Sequence, residues 1–120
     1  MTLKRSKTAP KCGDDWRSPC AVARTLDILG DKWSMLIIRD LFGKKRRYNE
    51  FIESREGITT SVLADRLKRF EEHGIVERRR YQDHPPRYEY VLTEKGRALG
   101  PVLRSIVEWG LAHIDGSKAM

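Results

Sequence analysis

Arginine is the side chain with the most chemistry to offer in this sequence. Arg78, Arg79 and Arg80 stand in a row, a short stretch with two prolines follows, and Arg87 heads a tyrosine-rich run, "VERRRYQDHPPRYEY". A guanidinium binds phosphate both as a charge and as a rigid fork of N–H donors, so such a cluster suits an anionic polymer better than it suits bond-breaking chemistry. Arg46 and Arg47 in "KKRRY" form a second basic cluster, and Arg66, Lys68 and Arg69 in "RLKR" a third. Other reactive groups are sparse. His73, His84 and His113 are scattered, with no close His/Cys/Asp grouping of metal-ligand spacing and no glycine-rich loop ending in Gly-Lys-Ser/Thr. An enzyme is therefore not expected; the sequence offers no catalytic residue, no metal site and no cofactor site. Cys12 and Cys20 are the two cysteines, too few and too close for a disulfide framework, so reduced thiols are expected.

Overall charge agrees with the clusters. The 24 Lys+Arg outnumber 17 Asp+Glu for a formal net charge of +7, which favours nucleic acid or an anionic membrane as partner without choosing between them. No apolar run approaches the roughly 20 residues that span a bilayer, and the opening "MTLKRSKTAPKCGDDW" lacks the apolar segment of a signal peptide, so a cytoplasmic location is expected. At 120 residues the chain suffices for one small domain with one core.

Helices and strands must position the basic clusters. Residues 1–17 carry five basic and few apolar side chains and read as a flexible arm, either settled on phosphate or merely solvated; residues 116–120 read as a short flexible tail. In "SPCAVARTLDILG", Ser18 is suited to cap a helix, Pro19 to open it and Gly30 to close it. Asp31 then caps "KWSMLIIRDLF", whose Trp33, Leu36, Ile37, Ile38 and Leu41 are apolar enough to form the centre of the core. A short helix follows in "NEFIES", with Asn49 as its cap. Gly57 breaks the chain, and Thr59 caps the longer helix "TTSVLADRLKRFEEHG".

Two helices joined by a tight turn can present the second to a DNA major groove. Leu63, Leu67 and Phe70 fall on one inward face of that second helix, leaving Thr60, Ser61, Val62 and Asp65 near its leading end as candidates to meet base edges. Arg69 could reach a guanine, while Arg66 and Lys68 suit phosphates. The alternative is a solvated amphipathic helix in a small bundle.

The period changes after Ile75. Tyr88, Tyr90 and Leu92 alternate with Arg87, Glu89 and Val91, so residues 76–81 and 87–92 read as two strands around a turn at 82–86. Such a hairpin directly after a recognition helix is a wing. Its Arg78, Arg79, Arg80 and Arg87, together with Arg46 and Arg47, are phosphate or minor-groove candidates. Pro85 and Pro86 are expected to leave the last residues of the turn unpaired.

The terminal segment "LTEKGRALGPVLRSIVEWGLAHI" begins with Thr93 as cap, and Pro101 marks either a kink or a true helix start. Leu99, Leu103, Ile106, Trp109, Gly110 and Ile114 belong to an apolar stripe wider than one small core requires, and Val22 and Leu26 offer a similar surface on the first helix. Twofold pairing would bury both and would space two recognition helices about one DNA turn, roughly 34 Å, apart or a multiple of it. The reading is thus an α+β, mainly α domain over 18–115: a winged helix-turn-helix with terminal dimerisation helices. A winged-helix protein adaptor without sequence-specific DNA binding is the alternative, and it would have no need for Arg66, Arg69 and Arg78–Arg80 to share one face. No helix keeps both a basic and an apolar face free for a membrane.

The ordered pieces GDKW, RDL, RRYNEF, RLK, EEHGIVERR, PPRYEY and LTEKG resemble the HxlR-type family of bacterial winged helix-turn-helix transcriptional regulators over about residues 18–114. The resemblance implies homodimers joined through terminal helices, binding double-stranded DNA at inverted-repeat operators in response to oxidants, electrophiles or small molecules. It also implies a sensing role for a cysteine at the start of the first helix, where Cys20 stands. Helix-start amides with Arg17 and Arg24 nearby favour a thiolate there; the alternative is a small apolar filler of the dimer contact. Ala21 and Thr60 stand where the family commonly has proline.

Overall fold

The computed structural model describes residues 16–120, so Cys12 and the basic residues of the expected arm from Lys4 to Lys11 lie outside the described residues. The elements in chain order are α1 (Ala21–Leu29), α2 (Ser34–Phe42), α3 (Tyr48–Ile52), α4 (Thr60–Glu72), β1 (Val76–Asp83), β2 (Pro86–Leu92), α5 (Glu94–Arg97) and α6 (Gly100–His113). This is the expected winged helix-turn-helix, mainly α with one two-stranded antiparallel sheet.

Packed side chains close around α2. Ile37, Ile38 and Leu41 of α2 meet Phe51 of α3, Leu63, Leu67 and Phe70 of α4, and Val76 and Tyr90 of the sheet. Leu63, Leu67 and Phe70 are completely buried, each worth about 1.5–3 kcal/mol relative to an exposed side chain. Trp33 packs at the edge of the core, and Leu36, expected inside, is half-buried.

Several helix starts differ from the expected ones, because capping side chains act a residue or more away. The Ser18 hydroxyl accepts from the Cys20 amide at 3.1 Å, which closes a turn, and α1 begins only after Cys20. Asp31 accepts from the Trp33 amide at 3.1 Å and from the Ser34 hydroxyl, so α2 begins at Ser34. In α3 the cap is not Asn49: the helix begins at Tyr48, and Glu50 accepts from the Arg46 and Arg47 amides at 2.8 and 2.9 Å. Thr59 does cap α4, accepting from the Val62 amide at 3.3 Å.

The exit of α4 is a left-handed turn. Gly74 has φ +72°, the Gly74 amide donates to Glu71 and the Ile75 amide donates to Phe70 at 2.8 Å, the paired bonds that end a helix and redirect the chain into a strand. Trp16, inside the segment expected to be a loose arm, is buried with its ring 5.7 Å from that of His73 at the same helix end.

The wing is longer than expected. Pairing runs from Val76↔Leu92 to Asp83↔Pro86, leaving His84 and Pro85 at the tip, with a bulge at Tyr81. Proline opposite Asp83 loses only an amide at the end of the ladder, so pairing reaches it. The Tyr90 amide donates to the Arg46 carbonyl at 2.7 Å, which ties the loop before α3 to the free edge of β2.

Past the wing, the terminal helix is divided. Thr93 accepts from the Gly96 amide at 3.1 Å and caps only α5. Pro101 lies in the first turn of α6, so it marks a start and not a kink. Gly96 seats α5 against the sheet: a Cβ there would stand 2.2 Å from the Ile75 carbonyl oxygen. Among the described residues no helix is long and apolar enough to cross a membrane.

Candidate nucleic-acid interface

With Leu63, Leu67 and Phe70 turned inward, α4 has a defined outer surface. Thr60, Ser61, Asp65 and Lys68 are exposed on it, together with Ala64, which the sequence reading passed over. Ala64 was findable as the residue between Thr60 and Lys68 at four-residue spacing, and its methyl suits a thymine methyl. Val62 is less available than expected: it is half-buried and packs against the core.

Arg66 and Arg69 do not share that outer surface. Arg66 Nε donates to Asp31 Oδ2 at 2.8 Å, and Arg69 Nη1 lies 3.6 Å from Asp31 Oδ1. Both turn toward the α1–α2 turn, with side chains only 18% and 19% exposed. Their helical positions are those of a flank, and an acceptor waits on that flank.

On the wing, strand alternation divides the arginine triplet. Arg78 pairs across the sheet with Tyr90 and Arg80 with Tyr88 on one face, where Tyr90 meets Tyr48 of α3 and Arg78 meets Glu71 of α4, while Arg79 pairs with Glu89 on the other face. The triplet therefore does not form the single face expected of it. Arg78 and Arg80 lie over the Tyr88 ring at 4.5 and 5.6 Å, and Arg80 donates to the Tyr88 hydroxyl at 3.2 Å. Arg79 donates to Glu77 at 2.6 Å.

Arg46 and Arg47, about half exposed, each lie 3.8 Å from the Glu89 carboxylate. The Arg47 guanidinium also covers the ring of Tyr81, the bulge residue, at 3.8 Å. Between α3 and the wing runs an open groove of about 720 Å³ whose lining includes Arg47, Asn49, Arg78, Arg87 and Tyr88. The rings of Tyr81 and Tyr88 hold the Arg47 and Arg78 guanidiniums at this groove, a grouping of positive charge and aromatic surface suited to a sugar-phosphate strand. Burial pushes the Tyr90 hydroxyl at its floor up to about 12, so it stays a neutral donor. Tyr81 and Tyr88, like Ala64, are candidate residues that the sequence did not single out; there they read only as strand formers.

Among the described residues, the terminal elements present an exposed apolar surface. None of α6 is buried, and Val102, Ile106, Trp109, Leu111 and Ile114 are exposed, as are Val22 and Leu26 of α1. Leu103 and Gly110 are half-buried. Leu99 is the exception among the dimer candidates, because it packs on its own core.

Cys20 is exposed at the start of α1. The Ala23 and Val22 amides at the helix start, and after them the Arg17 charge, favour the thiolate over the opposing effect of burial and bring its pKa below the ordinary thiol value. Arg17 is itself paired with Asp27. No group of three or more His, Cys, Asp or Glu side chains gathers as metal ligands among the described residues.

A family model described as HxlR-like helix-turn-helix matches residues 28–118. The chain is 38% identical over 109 residues to YdeP of Bacillus subtilis (strain 168), an uncharacterized HTH-type transcriptional regulator, covering 88% of this chain and 85% of that one. It is similar to the oxidised form of the redox regulator HypR, with a TM-score of 0.72 and 40% identity over 80% of this chain and 99% of that one. The reduced form of the transcriptional regulator YodB from B. subtilis matches with a TM-score of 0.67 and 32% identity, over 84% and 100% of the two chains. Transcription regulation, the role of YdeP and YodB, is not enzymatic.

Proposed function

The chain belongs to the HxlR-like helix-turn-helix family of transcriptional regulators, and from that premise we propose that it binds double-stranded DNA sequence-specifically as a homodimer. The observation that carries this reading is α4, whose apolar side is fully locked into the core while Thr60, Ser61, Ala64, Asp65 and Lys68 face outward beside the arginine-lined groove of the wing. In this reading α4 enters a major groove, and Arg47, Arg78, Arg80 and Arg87 hold the adjoining phosphates. The exposed surface of α1 and α6 pairs with a second copy, so the operator is an inverted repeat.

Cys20 is the proposed sensor. Its exposed thiol is more acidic than an ordinary one and stands two residues from Val22, on the apolar surface assigned to pairing. Oxidation or alkylation there would alter the pairing of α1 and hence the spacing of the two reading helices. The similarity to HypR and YodB, a redox regulator and a transcriptional regulator, supports looking for such a response.

Selection of genomic fragments by the purified protein at about 0.15 M salt, with and without a thiol oxidant, tests both parts. A two-part inverted repeat is expected, released on oxidation by the native protein and retained by Cys20→Ser. Recovery of unrelated fragments alone would favour a protein-adaptor role, and oxidative release that persists in Cys20→Ser would remove Cys20 from the mechanism.

A further inference from the structure

We propose that Asp31, which lies outside the recognition helix, is a positioning residue that sharpens sequence discrimination by holding Arg66 and Arg69 off the DNA phosphates. The inference rests on the DNA-binding reading of α4 given above.

The geometry is that of two cations held between two carboxylates. Arg66 reaches Asp31 Oδ2 at 2.8 Å through Nε and Asp65 Oδ2 at 2.5 Å through Nη1. Arg69 lies 3.6 Å from Asp31 Oδ1 and 3.6 Å from Asp65 Oδ2, and its Nη1 donates to the Ile28 carbonyl at 3.5 Å. Asp31 cannot swing away easily. It accepts from the Trp33 amide and from the hydroxyl of fully buried Ser34, which also reaches the Ile28 carbonyl. Burial raises its pKa, but the hydrogen bonds from Ser34, Arg66 and Trp33 outweigh burial and keep it a carboxylate.

Asp65 marks how close these guanidiniums come to the reading surface. Its side chain is 61% exposed on the outer face of α4, and both arginines touch it. Without Asp31, their remaining acidic partner would stand at the surface itself, and phosphates a few ångströms away would compete for them. Contacts to phosphate add affinity for every sequence alike, whereas Asp65 can accept selectively from cytosine N4. Asp31 thus keeps two non-selective cations back while they offset the charge of the one carboxylate that reads. The wing arginines differ in this respect: Arg78, Arg79 and Arg80 are 46%, 58% and 53% exposed.

The test measures affinity for the selected operator and for an unrelated duplex across a salt series, using the full chain. Asp31→Asn keeps the size and one acceptor of the side chain but removes its charge. It is expected to steepen the salt slope on unrelated duplex by about 1–2, the value for one or two new phosphate contacts, and to lower the ratio of specific to non-specific affinity about tenfold. The pair Arg66→Gln with Arg69→Gln, in the native background, is expected to leave the slope unchanged. Added to Asp31→Asn, the pair is expected to restore it. A native slope in Asp31→Asn, or a slope lowered by about 1–2 when the two arginines alone are replaced, would overturn the proposal while leaving operator binding standing. Absence of duplex binding by the native protein would instead overturn the DNA reading and this inference together.

Discussion

Arg79 and Arg80, neighbours in the chain, lie on opposite faces of the wing, one paired with Glu77 and the other donating to the Tyr88 hydroxyl. An extended strand turns alternate side chains to opposite sides, so a run of three arginines cannot line one track. Arg80→Ala is therefore expected to weaken binding to all sequences and lower the salt slope by about 0.9, the value for one phosphate contact, whereas Arg79→Ala is expected to change the slope by less than half of that. Titrations of an unrelated duplex at several salt concentrations check this; equal effects would mean that the outer face of the wing also meets DNA.

The leading end of α4 should behave differently. Ser61 and Asp65 are exposed and lie on the outward arc opposite Leu63 and Phe70. Ser61→Ala and Asp65→Asn are expected to shift preference at one or two base pairs per half-site by about 1–3 kcal/mol, with little change on unrelated DNA. Competition binding against a set of single-base operator variants reads this directly. A uniform change across the set would assign these side chains to the backbone instead.

What could be read in the sequence was what is decided locally. The Thr59 cap and the spacing of Leu63, Leu67 and Phe70 involve neighbours within one or two helical turns, so the orientation of α4 was legible. Asp31 was legible as a cap near Trp33 and not as the partner of Arg66, because that contact spans 35 residues of sequence and depends on how α4 docks. The same holds for Tyr81, which a bulge places under Arg47. Binary alternation gave two strands, but an irregularity inside a strand has no local signature in this stretch. The excess width of the apolar stripe on the terminal helix was visible in its residues; that partly buried Leu99 packs against the core was not, because it depends on the break before Gly100 that separates it from α6.

Pairing through α6 makes a prediction independent of DNA. Trp109 and Ile106 are 61% and 49% exposed and, among the described residues, do not pack on the core, and Val22 on α1 is 66% exposed. Replacing both α6 side chains, as Ile106→Glu with Trp109→Glu, is expected to yield a monomer by sedimentation with an unchanged far-UV circular dichroism spectrum. Operator affinity should fall at least about a hundredfold, since one reading helix then binds alone and forfeits the second half-site. A dimer that persists in this variant would place the contact elsewhere.

Acid should loosen the approach to α4 through Glu56. Arg39 of α2 grips this carboxylate with two bonds of 2.8 Å, just before the turn that leads to Thr59, and these bonds push its pKa down to about 2 from an ordinary 4.5. A pKa depressed by folding means that the pair contributes fully above the unfolded value and loses its contribution as pH falls toward the folded one. The window is therefore between about 4.5 and 2. Because the pair is partly solvated, its worth is nearer about 0.5–1 kcal/mol than the shift alone suggests, or roughly 2–6 °C in Tm. Glu56→Gln should melt below the native protein by that margin at pH 6 and converge with it as the pH falls toward and through 2, where folded Glu56 takes up its proton. Thermal melts of the two proteins at half-unit steps measure the convergence. A gap that stays constant across the window would show that Glu56 acts through packing and not through its charge.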